Sequence, residues 1–69
     1  MNVPKYRQII ADITAKVESG ELKSGDRIGS TSDLQTEYGV SMTVVNQAAI
    51  VLEARGLIEG VAGVGRFVK

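Results

Sequence analysis

The chain has 69 residues, eight basic and eight acidic side chains, and neither cysteine nor histidine. That length suits one small domain over 1–69, and the missing residue types exclude disulfides, the common zinc sites and histidine-based catalysis. Zero net charge argues against a strong sequence-independent grip on polyanions, without excluding nucleic acid, because the distribution of charge matters more than its sum. No apolar run approaches the length of a membrane span, and MNVPKYRQ lacks the charged-then-apolar form of a signal peptide, so a soluble cytoplasmic protein is the default expectation.

Pro4 suits the first turn of a helix, where its missing N–H costs nothing. Tyr6, Ile9, Ile10, Ile13 and Val17 recur at three- and four-residue spacing, the apolar stripe of an amphipathic helix. Arg7, Gln8, Asp12, Lys16 and Glu18 fill its other face, and Gly20 ends it near Ser19. A polar connection follows, with turn chemistry at Ser24-Gly25-Asp26 and Leu22 tucked onto the first helix. Arg27-Ile28 reads as a very short strand that Gly29 breaks. Ser30 then caps a second helix, with Asp33 three residues on as a weaker form of the capping-box Glu. Leu34 and Tyr38 face the core, and Gly39 ends this helix after about two turns. Val40 is expected in the core at the turn.

Ser41 caps the third helix, which runs from Met42 to about Arg55, where Gly56 stops it. Val45, Ala48, Ala49 and Leu52 form its buried stripe, and the two alanines let the helix backbone approach a partner closely. Residues 57–61 read as a strand, 62–65 as a turn and 66–68 as the return strand. Two capped helices around a glycine turn make a helix-turn-helix over 30–56. The expected fold class is therefore α+β, mainly α: a winged helix-turn-helix of three helices plus a C-terminal β-hairpin wing.

The runs GELKSGDRIGS, SDL and GVSMTVVNQAAIVLEARGLIEGVAGVGRFV carry a resemblance. Over 5–68, without a gap, the chain resembles the N-terminal DNA-binding domain of the GntR family of bacterial transcription regulators. Gly25, Asp26, Ser30, Leu34, Gly39, Val40, Ser41, Val45, Ala48, Leu52, Gly56, Leu57, Ile58 and Phe67 are among the positions in register. The resemblance implies sequence-specific DNA binding and repression. It also implies a dimerising effector domain after the wing; the chain stops at the wing, so the DNA-binding module alone is expected, without a small-molecule effector domain. The departures fall at charge-bearing positions. Ser32, Met42 and Asn46 stand where the family commonly has DNA-contacting arginines, Ile50-Val51 replaces a basic pair, and Gly29 replaces a proline. Val61 and Val64 lie near the wing tip, and Arg66 stands where Thr is usual.

Each feature has a bland reading beside the functional one. Asn46 and Gln47 are either ordinary solvated amides or bidentate readers of adenine, with Thr43 reaching a phosphate or base and Met42 packing on a thymine methyl. That face leans toward A·T. Arg27 is placed to pair with a phosphate, and Arg66 to enter a minor groove. The expected DNA-binding set is Arg27, Ser30, Thr31, Ser32, Ser41, Met42, Thr43, Asn46, Gln47, Gly63 and Arg66. Gly63 and Gly65 read structurally, as hairpin-tip residues with positive φ. Of Ile50 and Val51, one packs on the wing or first helix, and the other is free to mark a protein contact. Glu37 and Glu53 lie near the DNA side and oppose binding. No nucleophile has an adjacent base, so neither catalysis nor a metal or cofactor is expected.

Two functions compete. The first is a DNA-binding repressor, acting as a homodimer on a short inverted repeat of double-stranded DNA and reading the major groove with the helix around 42–55. The alternative is a winged helix with weak or lost DNA affinity, serving as a protein-protein interaction or dimerisation module, for instance toward a second regulator protein. No membrane partner is expected.

Overall fold

The computed structural model describes residues 3–61 and 63–69. Its elements are α1 (Lys5–Glu18), β1 (Arg27–Gly29), α2 (Thr31–Tyr38), α3 (Met42–Ala54), β2 (Ile58–Val61) and β3 (Gly65–Val68). Ala62, part of the expected wing turn, lies outside the described residues. The expected winged helix-turn-helix is present, mainly helical with a small sheet. No helix among the described residues is long and apolar enough to cross a membrane.

The stripe of α1 does what its spacing predicts: Ile9, Ile10 and Ile13 are buried, and Tyr6 and Val17 pack beside them. They meet Ala48, Ala49 and Leu52 of α3 and Ile58 of β2 in one core. A methyl side chain at Ala48 and Ala49 leaves room for the α1 stripe against the α3 backbone, and burying Leu52 fully is worth about 1.5–3 kcal/mol. Val51 is the member of the Ile50-Val51 pair that packs on this core, while Ile50 is 66% exposed. Val40 is half-buried against the same core. Leu22 is half-buried too, and its N–H returns to the Lys16 carbonyl at 3.0 Å, holding the chain against the end of α1.

The α2 helix is defined at both ends. Ser30 Oγ accepts from the Asp33 N–H at 3.1 Å, and the Asp33 carboxylate accepts from the Ser30 N–H at 3.0 Å, a complete capping box built with Asp in place of Glu. Gly39 terminates the helix at φ 65°, ψ 43°, a left-handed conformation that a side chain disfavours. One residue earlier, Tyr38 donates its hydroxyl hydrogen to the Asp12 carboxylate of α1. Lys16 supports the same carboxylate at 3.4 Å. Partial burial, and then the adjacent Asp12 charge, push the Tyr38 hydroxyl well above its ordinary pKa.

The sheet corrects the sequence reading in one respect. The wing is not a bare hairpin: β1 joins it as a third strand, in the antiparallel order β1-β3-β2. Gly29 does not break β1 but belongs to it. Arg27 pairs with Phe67 and Gly29 with Arg66, so two steps on β1 match one on β3, and Ile28 is the extra residue of a bulge. Gly29 absorbs the irregularity at φ +115°. A β-carbon there would lie 3.2 Å from Asp33 Cβ, so glycine also lets the strand run straight into the cap of α2. Two further bonds, Gly25 N–H to Val68 O and Val68 N–H to Asp26 O, both 2.8 Å, extend the pairing into the preceding turn.

Candidate nucleic-acid interface

Two N-terminal helix ends and the wing form this surface. The start of α2 faces the wing across a cleft of about 550 Å³ lined by Arg27, Ser30, Thr31, Ser32, Val61, Gly63, Val64, Gly65 and Arg66. All six predicted residues from these two segments therefore line one cleft. The other five, Ser41, Met42, Thr43, Asn46 and Gln47, are exposed on the first two turns of α3. Met42 is 57% exposed, so its thioether is available to an apolar partner.

Both predicted serines on helix ends carry a cap. Ser30 serves α2 as described, and Ser41 Oγ accepts from the Val44 N–H at 3.3 Å. At Ser41, accepting leaves the hydroxyl hydrogen free to donate to an anion. The N-terminal ends of two helices also present unpaired backbone N–H groups and the positive end of the helix dipole.

Arg27 is anchored within the protein. Its guanidinium donates to the Val64 carbonyl at the wing turn, from Nε at 3.4 Å and Nη2 at 3.3 Å, and its Nη1 lies 3.5 Å from the Asp33 carboxylate. Gly65 makes room for it: a β-carbon there would come within 3.0 Å of Arg27 Nε. Hydrogen bonding from the Ser30 backbone N–H first, then the Ser30 side chain and the Arg27 charge, hold the Asp33 carboxyl below the usual carboxylate range. Asp33 is thus ionised at neutral pH and cancels part of the Arg27 charge. The side chain of Arg27 keeps about half its surface in solvent, at 47%.

Arg66 occupies a place the sequence reading did not foresee. Its guanidinium does not extend beyond the wing but turns back toward the helices. Nη1 donates to Thr31 Oγ1 at 2.7 Å and Nη2 to Asn46 Oδ1 at 3.3 Å. One side chain of the wing therefore joins the start of α2 to the outward face of α3, linking the cleft residues to the α3 residues. Strand alternation could have signalled this, since Arg66 and the buried Val68 are two apart and share a sheet face.

A second groove, about 710 Å³, runs between α1 and the C-terminal half of α3, lined among others by Tyr6, Ile10, Thr14, Val51 and Arg55. None of the predicted interface residues lines it. Glu53 lies against β2, where a β-carbon on Gly60 would sit 3.2 Å from its carboxylate.

Comparison with known proteins bears directly on this surface. The family model for bacterial regulatory proteins of the gntR family matches residues 5–68. The chain is 44% identical over 66 residues to the mannosyl-D-glycerate transport/metabolism system repressor MngR of Escherichia coli K12, covering 96% of this chain and 28% of that protein. It is 35% identical over 65 residues to the histidine utilization repressor of Klebsiella aerogenes, covering 94% of this chain and 27% of the relative. The chain thus spans little more than a quarter of either regulator. In structure it is similar to the DNA-binding domain of AraR solved in complex with operator ORR3, with a TM-score of 0.93 at 29% identity, over 100% of this chain and 83% of that one. A GntR family transcriptional regulator from Listeria monocytogenes superposes with a TM-score of 0.90 at 29% identity, over 99% of this chain and 60% of that one. The chain belongs to the GntR family of bacterial regulatory proteins.

Proposed function

We propose that residues 1–69 act as one sequence-specific DNA-binding domain of a cytoplasmic transcriptional repressor. In this reading α3 lies in the major groove, with Met42, Thr43, Asn46 and Gln47 toward the bases. The start of α2 and the wing meet the adjacent phosphates through Arg27, Ser30, Thr31, Ser32 and Gly63. The observation that carries it is the convergence of the α2 N-terminus, the wing and the exposed start of α3 on one surface, joined by Arg66. Repression is supported by two of the regulators to which the chain is similar, both named repressors; binding as a homodimer to an inverted repeat, one recognition helix per half-site, belongs to the same proposal. Ile50, the residue singled out for a protein contact, is one of several exposed apolar side chains, and exposed apolar side chains are ordinary on protein surfaces.

Selection from a random duplex pool tests the reading. A defined motif is expected to emerge, and substitutions at Thr43 or Gln47 to change its sequence. Failure of any motif to enrich, at low salt as well as high, refutes it.

A further inference from the structure

The Asn46 amide is constrained by its neighbour. A guanidinium has donors and no acceptor, so the atom facing Arg66 Nη2 at 3.3 Å must be the amide oxygen. Arg66 is held from its other side by Thr31 Oγ1 at 2.7 Å, and its backbone is paired on both edges, to Gly29 of β1 and Gly60 of β2. Thr31 is itself fixed as the first residue of a helix with a complete capping box. The orientation of Asn46 thus traces back to rigid elements, while Asn46 itself is exposed.

An asparagine free to turn offers an acceptor and a donor side by side, the match for the N6 amino group and N7 of adenine. With one lone pair of Oδ1 engaged by Arg66 and the guanidinium crowding the other, the edge that Asn46 turns outward is led by the amino hydrogens of Nδ2, and the remaining N–H groups of Arg66 beside it are donors as well. Guanine meets such an edge with two acceptors, O6 and N7, and thymine with O4, whereas adenine offers only N7 and sets N6 donor against donor, and cytosine N4 does the same. We infer that Arg66 is a positioning residue: it fixes the Asn46 amide as an outward donor, so that the base read by Asn46 carries a keto group, guanine or thymine. This rests on the DNA-reading function proposed above. It reverses, at this one residue, the adenine preference that the sequence suggests.

The test uses the intact chain and duplexes from the selected motif, with each of the four base pairs at the position where Asn46→Ala abolishes discrimination. The wild-type chain is expected to bind guanine or thymine at least about tenfold more tightly than adenine or cytosine there. Arg66→Ala and Arg66→Lys both shift the preference toward adenine. The lysine variant keeps the charge and the salt dependence, but a compact ammonium cannot reproduce the two-armed bridge to Thr31 and Asn46. An adenine preference in the wild type overturns the inference. So does a loss of affinity in both Arg66 variants that is equal for all four bases, or the absence of any position at which Asn46→Ala relaxes discrimination. NMR on the free chain separates this from failure of DNA binding as such. The Asn46 side-chain NH2 resonances are expected to move in Arg66→Lys; unmoved resonances mean that no bridge exists. A chain that shows the bridge yet selects no duplex overturns the DNA reading, and the base preference with it.

Discussion

Tyr38→Phe removes one hydroxyl group and, with it, the tie between the end of α2 and α1. The bond it deletes has an ionised acceptor, Asp12. Hydrogen bonds to charged groups contribute about 1.5–3 kcal/mol. Partial exposure of this pair, and the Lys16 ammonium that stays with Asp12 at 3.4 Å, reduce the expected loss to about 1–2 kcal/mol. For a domain of this length, that lowers Tm by roughly 7–14 °C. The pH dependence gives a second signature. The folded state raises the Tyr38 pKa above the ordinary value of 10.0, so the folded form holds its proton where the unfolded form has lost it. The stabilisation is therefore complete below pH 10 and declines as pH rises further, by less than about 1.4 kcal/mol per pH unit. Urea denaturation of both proteins between pH 7 and 11 measures this. Their stabilities should differ at pH 7 and converge above pH 10. A variant within about 0.3 kcal/mol of the wild type at pH 7, or a difference that stays constant through pH 11, refutes the tie.

Four further substitutions probe the rest of the surface. Ser30→Ala removes the hydroxyl half of the α2 capping box and should cost about 1 kcal/mol in chemical denaturation. Asp33→Asn tests the carboxylate half: a depressed folded pKa stabilises above the unfolded value of 3.8 and ceases to do so as pH falls through the folded one, so the variant should lose stability less steeply on acidification. Gly29→Ala places a side chain at φ +115° and 3.2 Å from Asp33 Cβ, and should cost about 1–3 kcal/mol in thermal or urea unfolding. Met42→Arg adds a cation to the exposed start of α3; affinity for DNA at low salt should rise, and the slope of log K against log salt should steepen by about 0.9 if the guanidinium reaches a phosphate.

Most of the fold was legible because each helix carries its own punctuation. Ser30 and Asp33, Gly39, and Ser41 mark the helix-turn-helix by local chemistry, and the α1 and α3 stripes have the helical period. The third strand was not legible. The partner of Arg27-Ile28 lies some forty residues away, and its pairing passes through a bulge at Gly29, which from sequence alone resembles a stop. The wing position of Arg66 was visible, but not its direction, since that depends on the sheet face shared with Val68 and on Thr31 and Asn46 being within reach. Arg27 was recognised as a cation beside the site; its tie to Val64 and Asp33 depends on the turn geometry of the wing. The missing family arginines at Ser32, Met42 and Asn46 were plain in the sequence. The guanidinium carried to Asn46 by β3 was visible only once the chain was folded.

The proposed function requires this surface to bind DNA by sequence, with few cationic contacts. Equilibrium affinity for the selected duplex and for a scrambled one, measured across a salt titration, tests it most directly. Arg27 is the cleft cation set against a phosphate and Arg66 lies beside it on Asn46, so a slope of log K against log salt between about −1 and −2 per bound chain is expected, with the selected duplex preferred at every salt concentration. Equal affinity for the two duplexes, or a steep slope shared by both, would contradict it.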